Sequence, residues 1–155
     1  MLRNRSLLVM RHAQSNSYNH NKQDFDRPLD DYGQRQPAII AQKLNALGIN
    51  ISHALVSPAL RTKQTFDLLA LNLKKAPEVF YDSRIYNASL SDLTNILDEN
   101  IYRQDNIILI GHNPAVSELV YSLAQEYCDF KPACLAILHL ENNSYSLYQV
   151  LTADG

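Results

Sequence analysis

The chain has 155 residues, of which 46% are hydrophobic and 19% charged. Fourteen Lys and Arg against sixteen Asp and Glu give a formal charge of −2 at pH 7, and the sequence has no basic block, so a nucleic-acid-binding surface is not expected. The longest apolar runs have about five residues, far fewer than the ~20 that a membrane-spanning helix needs. These features predict one globular, cytoplasmic domain over residues 1–155 without a membrane segment.

The sequence contains two cysteines, Cys128 and Cys134. The apolar run Leu7-Leu8-Val9-Met10 is too short for the core of a signal peptide, and Arg11 follows it at once. Because no export signal is recognised, the two cysteines are expected to be reduced thiols rather than a disulfide.

Short apolar runs alternate with segments of helical period, a pattern that predicts an α/β sandwich. Continuously apolar runs, typical of central strands buried on both faces, lie at 6–12, 53–57 and 106–111. A weaker strand is predicted over 78–82. Near the C-terminus, the runs 135–141 and 144–150 flank Asn142-Asn143, a plausible tight-turn pair. They predict an antiparallel hairpin at or near the edge of a mixed sheet.

Four amphipathic helices are predicted between the strands. Their apolar faces are Ile40, Leu44 and Leu47; Phe66, Leu69 and Leu73; Leu90, Leu93 and Leu97; and Val116, Leu119, Leu123 and Tyr127. Gly48 lies where a left-handed C-cap would end the first helix. Pro37 would kink this helix if it began at Asp30, and would be nearly harmless if it began near Gln34.

Three helices also carry start signals. Ser57-Pro58 and Asn113-Pro114 each place a capping residue before a proline, which predicts Ser57 and Asn113 as N-caps and the prolines as first helical residues. Ser89 and Asp92 resemble a capping box with a shorter acid, at the start of the third helix.

Polar residues follow three of the predicted strands, at the points where helices are expected to begin. Arg11-His12 ends the first strand, Arg61 follows the second, and His112 follows the strand over 106–111. In open α/β sheets, ligands bind beyond the carboxyl ends of parallel strands, where helix N-termini offer free N–H groups to an anion. Each residue alone has an ordinary structural explanation. Their coincidence at one sheet edge predicts a phosphate site with a candidate nucleophile.

The blocks at these junctions resemble the signature blocks of a known family. RHAQS at 11–15, SPALRTKQT at 57–65 and GHNP at 111–114 are similar to those of the histidine phosphatase superfamily, which includes the phosphoglycerate mutases. DFDRPLDDYG at 24–33 and the short chain narrow the resemblance to the small phosphohistidine phosphatases of the SixA type. The resemblance implies a phosphoglycerate mutase-like fold, a three-layer α/β/α sandwich around a six-stranded mixed, mostly parallel sheet.

The resemblance also implies a role for each residue. His12 matches the nucleophile, whose neutral imidazole attacks phosphorus and forms a phosphohistidine that water then hydrolyses. Arg11 and Arg61 match the two arginines that clamp the phosphate, and His112 matches a second histidine that donates a hydrogen bond to the transferring group. Because His12 must be neutral and His112 works best as a donor, their pKa values are expected to be pushed apart, giving a bell-shaped pH–rate profile.

Two further residues are expected near the substrate. Arg27 matches a basic position of the SixA-type site and is predicted either to contact the substrate phosphate or to form an ion pair with Asp24, Asp26 or Asp30. Ser15 is predicted to add a hydroxyl to the phosphate site. The histidines outside the signature blocks are expected to be packing or surface residues: His20, His53 and His139. No metal or other cofactor is expected, because no Cys/His spacing resembles a metal site and this chemistry needs none.

One departure from the family pattern bears on the substrate. Many relatives have a glutamate that protonates the leaving oxygen where this chain has Asn87, and an amide cannot act as an acid. A sugar or serine alkoxide would then leave poorly, whereas a phosphohistidine imidazole can be protonated near neutral pH. Asp82 is either a displaced acid or, as its position suggests, the end of a strand.

The leading hypothesis is a phosphatase that acts on phosphohistidine in a protein, such as a phosphotransfer domain. The alternatives are hydrolysis of a small phosphomonoester by the same machinery, and a non-catalytic phosphate-binding module.

Overall fold

The computed structural model describes residues 5–16, 23–100 and 105–154. Within these ranges the strands and α-helices, in chain order, are β1 (Arg5–Arg11), α1 (Gln36–Leu47), β2 (His53–Val56), α2 (Leu60–Asn72), β3 (Glu78–Tyr81), α3 (Leu90–Asn100), β4 (Ile107–Gly111), α4 (Ala115–Ala124), β5 (Leu135–Glu141) and β6 (Ser144–Leu151). No helix among the described residues has both the length and the apolar character needed to cross a membrane.

The strands form one six-stranded sheet in the order β3-β2-β4-β1-β5-β6. The pairs β2–β3, β2–β4 and β1–β4 are parallel, while β5 runs antiparallel to both β1 and β6. The predicted hairpin at the sheet edge is therefore confirmed. Its turn residues Asn142 and Asn143 have φ angles of 51° and 63°, the left-handed values that a tight hairpin turn requires.

Successive residues of the central strands face opposite sides of the sheet. Leu8 and Met10 of β1 pack with α1 and α2, while Leu7 and Val9 pack with α3 and α4. Because both faces are covered by helices, these strands need apolar residues at every position, which explains their continuous apolar runs. The predicted three-layer α/β/α sandwich with a mixed, mostly parallel sheet is confirmed.

Three features predicted at the helix termini agree with the structure. Gly48 caps α1 with a left-handed φ of 71°, and Pro37 lies in the first turn of that helix, where it removes no interior hydrogen bond. The capping box is also formed, since Ser89 N donates to Asp92 Oδ2 at 2.9 Å and Asp92 N donates to Ser89 Oγ at 3.1 Å.

Two predicted N-caps are wrong. The helices begin at Leu60 and Ala115, so both prolines precede them. Ser57 Oγ lies instead 2.8 Å from His112 Nε2, and Asn113 Nδ2 donates to the Phe130 carbonyl at 2.9 Å. Both side chains are therefore engaged in the loops beyond the sheet. Among the predicted apolar positions, Leu73 follows the last residue of α2, and Tyr127 lies beyond α4 and is 75% exposed.

Candidate active site

The three polar junctions meet at one edge of the sheet. Because β1, β4 and β2 are parallel neighbours, their carboxyl ends lie side by side, with Arg11 opposite Gly111. The His12 and His112 ring centroids are 5.3 Å apart, and Arg61 Nη2 is 3.4 Å from His112 Nδ1. The fold therefore gathers residues that are remote in sequence around one point.

His12 is held in a single tautomer. Its Nδ1 lies 2.6 Å from the Ala13 carbonyl oxygen, and because a carbonyl only accepts hydrogen bonds, Nδ1 carries the proton. Thr65 fixes this turn, since its Oγ1 accepts a hydrogen bond from Ala13 N at 3.0 Å. Burial lowers the pKa of His12 to about 3, against the effect of the Ala13 carbonyl. At neutral pH the ring is therefore uncharged, with the lone pair on Nε2.

Each of the two arginines is anchored to a loop carbonyl through one nitrogen. Arg11 Nη1 donates to the Phe130 carbonyl at 2.9 Å, and Arg61 Nη1 donates to the Asp24 carbonyl at 2.7 Å. The Nε atoms of both arginines are buried and have no hydrogen-bond partner within residues 5–16, 23–100 and 105–154. A buried N–H without a partner is unfavourable, so these guanidinium edges are suited to the oxygens of an anion.

His112 has the opposite tautomer to His12. Its Nδ1 faces the Arg61 guanidinium, which can only donate, so the proton is on Nε2 and points to Ser57 Oγ. Burial, together with the positive charge of Arg61, lowers the pKa of His112 to about 4. The pKa values of the two histidines were expected to be pushed apart, but in the ligand-free site both are lowered, because both rings are buried beside the same arginines.

We expect neither imidazole of the ligand-free protein to titrate between about pH 5.5 and pH 8, because a pKa far below the usual ~6.5 keeps a histidine neutral down to lower pH. Ring ¹⁵N chemical shifts of His12 and His112, followed by NMR across this range, check the prediction. His12→Asn and His112→Asn assign the two sets of signals. A ring whose nitrogens shift near pH 6.5 would contradict the prediction.

Arg27 and Ser15 contact each other at the outer side of this cluster. Arg27 Nη1 donates to Ser15 Oγ at 3.0 Å, and Arg27 Nε donates to Asp24 Oδ1, also at 3.0 Å. The ion pair expected as one alternative for Arg27 is formed, with Asp24 rather than with Asp26 or Asp30.

Sequence reasoning missed the role of Asp24 and did not single out Tyr86. Asp24 Oδ2 accepts hydrogen bonds from Tyr86 Oη at 2.6 Å and from Arg61 Nη2 at 3.2 Å. The Tyr86 hydrogen bond, aided by those from Arg27 and the charge of Arg61, lowers the pKa of Asp24 to about 2. The Tyr86 ring packs edge-on against His112, with centroids 5.7 Å apart. In the sequence, the only indication of a role for Asp24 was its position in the segment 24–33, three residues before Arg27.

The structure gives no support to Asp82 as a displaced acid. Arg84 Nη2 donates to Asp82 Oδ2 at 2.7 Å, and the hydrogen bonds from Arg84 lower the pKa of Asp82, so this carboxylate is ionised and engaged. Asp82 N donates to the Val56 carbonyl directly after β3, as expected for a residue that ends a strand. Asn87 is exposed and has a φ of 55°, a left-handed conformation that asparagine tolerates well.

The remaining polar candidates lie apart from these contacts. His53 stacks on Phe80 and His139 on Tyr148, whereas His20 lies outside the described residues. Cys128 and Cys134 are buried free thiols. Among the described residues, no group of three or more His, Cys, Asp or Glu could hold a metal ion.

Comparison with known proteins identifies the family. The sequence model of one family, the histidine phosphatase superfamily (branch 1), matches residues 7–115 of this chain. An uncharacterized protein of Picosynechococcus sp. is 33% identical over 104 residues, which are 66% of this chain and 62% of that relative. The match therefore spans less than two thirds of the relative's length.

The fold is shared with solved SixA structures. The protein histidine phosphatase SixA complexed with tungstate superposes with a TM-score of 0.86 at 20% identity, covering 96% of this chain and 97% of that chain. A candidate phosphohistidine phosphatase SixA from Nakamurella multipartitia gives the same TM-score of 0.86, also at 20% identity, over 99% of this chain and 98% of that one. Since the family model matches more than half of its length, the chain belongs to the histidine phosphatase superfamily, branch 1.

Proposed function

We propose that this phosphatase removes the phosphoryl group from phosphohistidine in a protein, through a phosphohistidine intermediate on its own His12. The observation that carries the proposal is the state of His12. Its buried ring is uncharged and has its lone pair on Nε2, beside two arginines whose buried Nε–H groups have no hydrogen-bond partner in the part of the chain that the structure describes. This is a nucleophile next to a site for the oxygens of a phosphoryl group.

In the first step, the Nε2 lone pair of His12 attacks phosphorus and a new P–N bond forms. The substrate's P–N bond breaks, and its electron pair goes to the leaving imidazole. Arg11 and Arg61 bind the non-bridging oxygens. They thereby supply the positioning and the charge stabilisation on which catalysis of phosphoryl transfer chiefly depends. His112 donates its Nε2–H, which points to Ser57 Oγ in the ligand-free site, to the transferring group. Water attacks the phosphohistidine in the second step and releases inorganic phosphate and neutral His12.

The three residues considered as proton donors cannot supply a proton to a leaving group, and this favours nitrogen over oxygen as the leaving atom. An alkoxide needs a proton as it departs, but Asn87 has none to give and Asp82 is bound by Arg84. The Asp24 carboxylate, which touches Arg61, is ionised because its pKa is about 2. A phosphorylated imidazole needs no such acid, since its second ring nitrogen can be protonated beforehand.

A protein substrate fits the exposed rim of the site. Asp24 has a side chain that is 52% exposed, and Phe25 beside it is 38% exposed. A phosphorylated histidine on the surface of a partner can approach such a rim directly. We therefore expect a phosphotransfer domain or similar phosphoprotein as the partner, in preference to a small phosphorylated metabolite.

We expect the kcat/KM for a phosphohistidine peptide to exceed that for an alkyl phosphate by at least about 10²-fold, the usual contribution of a general acid that the alkyl ester would lack. Steady-state kinetics with phosphohistidine peptide, p-nitrophenyl phosphate and an alkyl phosphate test this on the full chain. Efficient alkyl phosphate hydrolysis would indicate a small-molecule phosphomonoesterase. Phosphate binding without turnover of any substrate would indicate a binding module.

A further inference from the structure

Asp24 joins the phosphate-binding part of the site to its rim. Its main-chain carbonyl accepts from Arg61 Nη1 at 2.7 Å, and its carboxylate lies 3.2 Å from Arg61 Nη2. Tyr86 Oη and Arg27 Nε donate to the two carboxylate oxygens. The carbonyl therefore holds the arginine in place, while the carboxylate is fixed by three donors beside the position of the anion.

The direction of the reaction places the leaving group on the same side as this carboxylate. In-line displacement sends the leaving atom away from the attacking nitrogen. His12 is only 7% exposed and lies on the buried side of the site, so the leaving group departs toward solvent. The Asp24 side chain is 52% exposed and contacts Arg61, so it is accessible to a leaving group on the solvent side of the site.

An aromatic surface adjoins the carboxylate. The Phe25 and Tyr86 rings pack edge to face with centroids 5.1 Å apart, and Tyr86 in turn packs against His112. Flat, weakly polar surfaces of this kind suit a planar ring. The rim thus offers an anionic acceptor next to aromatic side chains, which matches an imidazolium better than it matches a sugar or an alkyl chain.

We propose that the Asp24 carboxylate, held by Tyr86 and Arg27, accepts a hydrogen bond from the ring N–H of the leaving imidazole and so selects phosphorylated nitrogen rings over phosphate esters. This assignment rests on the proposed phosphohistidine phosphatase activity. It makes Asp24 a specificity-determining residue, distinct from the residues that bind the transferred phosphoryl group.

The chemistry balances without an acid at the reacting bond. The substrate imidazole takes up a proton from solvent on its unphosphorylated nitrogen before the reaction, and a hydrogen bond to a carboxylate favours this charged form. When the P–N bond breaks, its electron pair neutralises the ring, and the proton stays on the second nitrogen. Asp24 therefore acts as an acceptor in its ionised state, whereas a general acid would have to be protonated.

The test is Asp24→Asn, assayed as the full chain with a phosphohistidine peptide and with p-nitrophenyl phosphate, whose leaving group has no ring N–H and needs no proton. We expect kcat/KM for the peptide to fall about 10- to 100-fold more than kcat/KM for the ester, the size expected for one charge-assisted hydrogen bond to the leaving ring. The ester reports any loss that comes from the contact between Asp24 and Arg61. Continued turnover of the ester also shows that the variant is folded.

Asp26→Asn is the matched control, since Asp26 is an exposed residue of the same short 3-10 helix, Asp24–Asp26. It should leave both substrates unchanged. An equal loss of kcat/KM for both substrates would overturn the proposal, because it would show that Asp24 only holds Arg61. The proposal would also be overturned if neither kcat/KM value changed. The wild-type preference between the peptide and an alkyl phosphate tests the proposed function separately, so the two failures can be told apart.

Discussion

Replacing His12 by alanine is expected to lower kcat by about 10⁴- to 10⁶-fold for every substrate that the protein hydrolyses, the range seen when a covalent nucleophile is removed. The loss has a simple physical cause. Nε2 of His12 is the unprotonated nitrogen of a ring that burial keeps neutral, and alanine offers no lone pair in its place. Single-turnover kinetics with phosphohistidine peptide and p-nitrophenyl phosphate measure the effect.

The binding of inorganic phosphate separates this role from a structural one. Arg11 and Arg61, which we propose bind phosphate, are anchored by main-chain carbonyls and not by His12, so His12→Ala should still bind phosphate in isothermal titration calorimetry. His139→Ala is the control. His139 stacks on Tyr148 of the edge hairpin, with ring centroids 4.1 Å apart, and its loss should leave kcat unchanged. A His12→Ala variant that retains more than a tenth of the wild-type rate would exclude covalent catalysis by this residue.

Much of the fold was predictable because its strands are buried on both faces. The run over 106–111 has no polar interruption, and β4 is buried along its whole length between two helical layers. The Asn142-Asn143 turn was equally clear, since left-handed φ angles select asparagine or glycine. Once parallel strands are assigned, the meeting of Arg11-His12, Arg61 and His112 at one edge follows from topology.

The parts of the site that were not predictable depend on contacts between loops. Asp24 reaches Arg61 across 37 residues and Tyr86 across 62, and neither loop has a periodic pattern that would reveal the pairing. Ser57 looked like a helix cap because a serine before a proline usually is one. Its hydroxyl faces His112 instead, because the loop that follows β4 brings the His112 ring within hydrogen-bond distance. The local sequence around Ser57 does not reveal this contact.

The pKa of His112 also depends on surroundings that the sequence does not reveal. His112 was expected to act as a hydrogen-bond donor, with a pKa pushed apart from that of His12. In the ligand-free site, burial and the adjacent Arg61 keep the ring neutral. The neutral ring still has its Nε2–H as a hydrogen-bond donor, so the role expected for His112 does not require a protonated ring.

Arg61→Lys is expected to lower kcat/KM by about 10³-fold, comparable to removal of an arginine that stabilises a transferring phosphoryl group. Lysine keeps the charge but has one terminal nitrogen. It cannot donate to the Asp24 carbonyl, as Nη1 does, and also present a second nitrogen, such as Nε of Arg61, to phosphate oxygens. The measurement is kcat/KM for phosphohistidine peptide and p-nitrophenyl phosphate, with the inhibition constant of inorganic phosphate.

The pattern of this loss is as informative as its size. Because we propose that Arg61 binds the phosphoryl group common to all substrates, Arg61→Lys should lower kcat/KM for both substrates by the same factor and weaken inhibition by phosphate. Arg35→Lys, on an exposed arginine that lies over the Tyr32 ring, is the matched control and should change neither. A loss confined to the peptide would place Arg61 at the leaving group, the role that we assign to Asp24, and would reverse the orientation of substrate in the site.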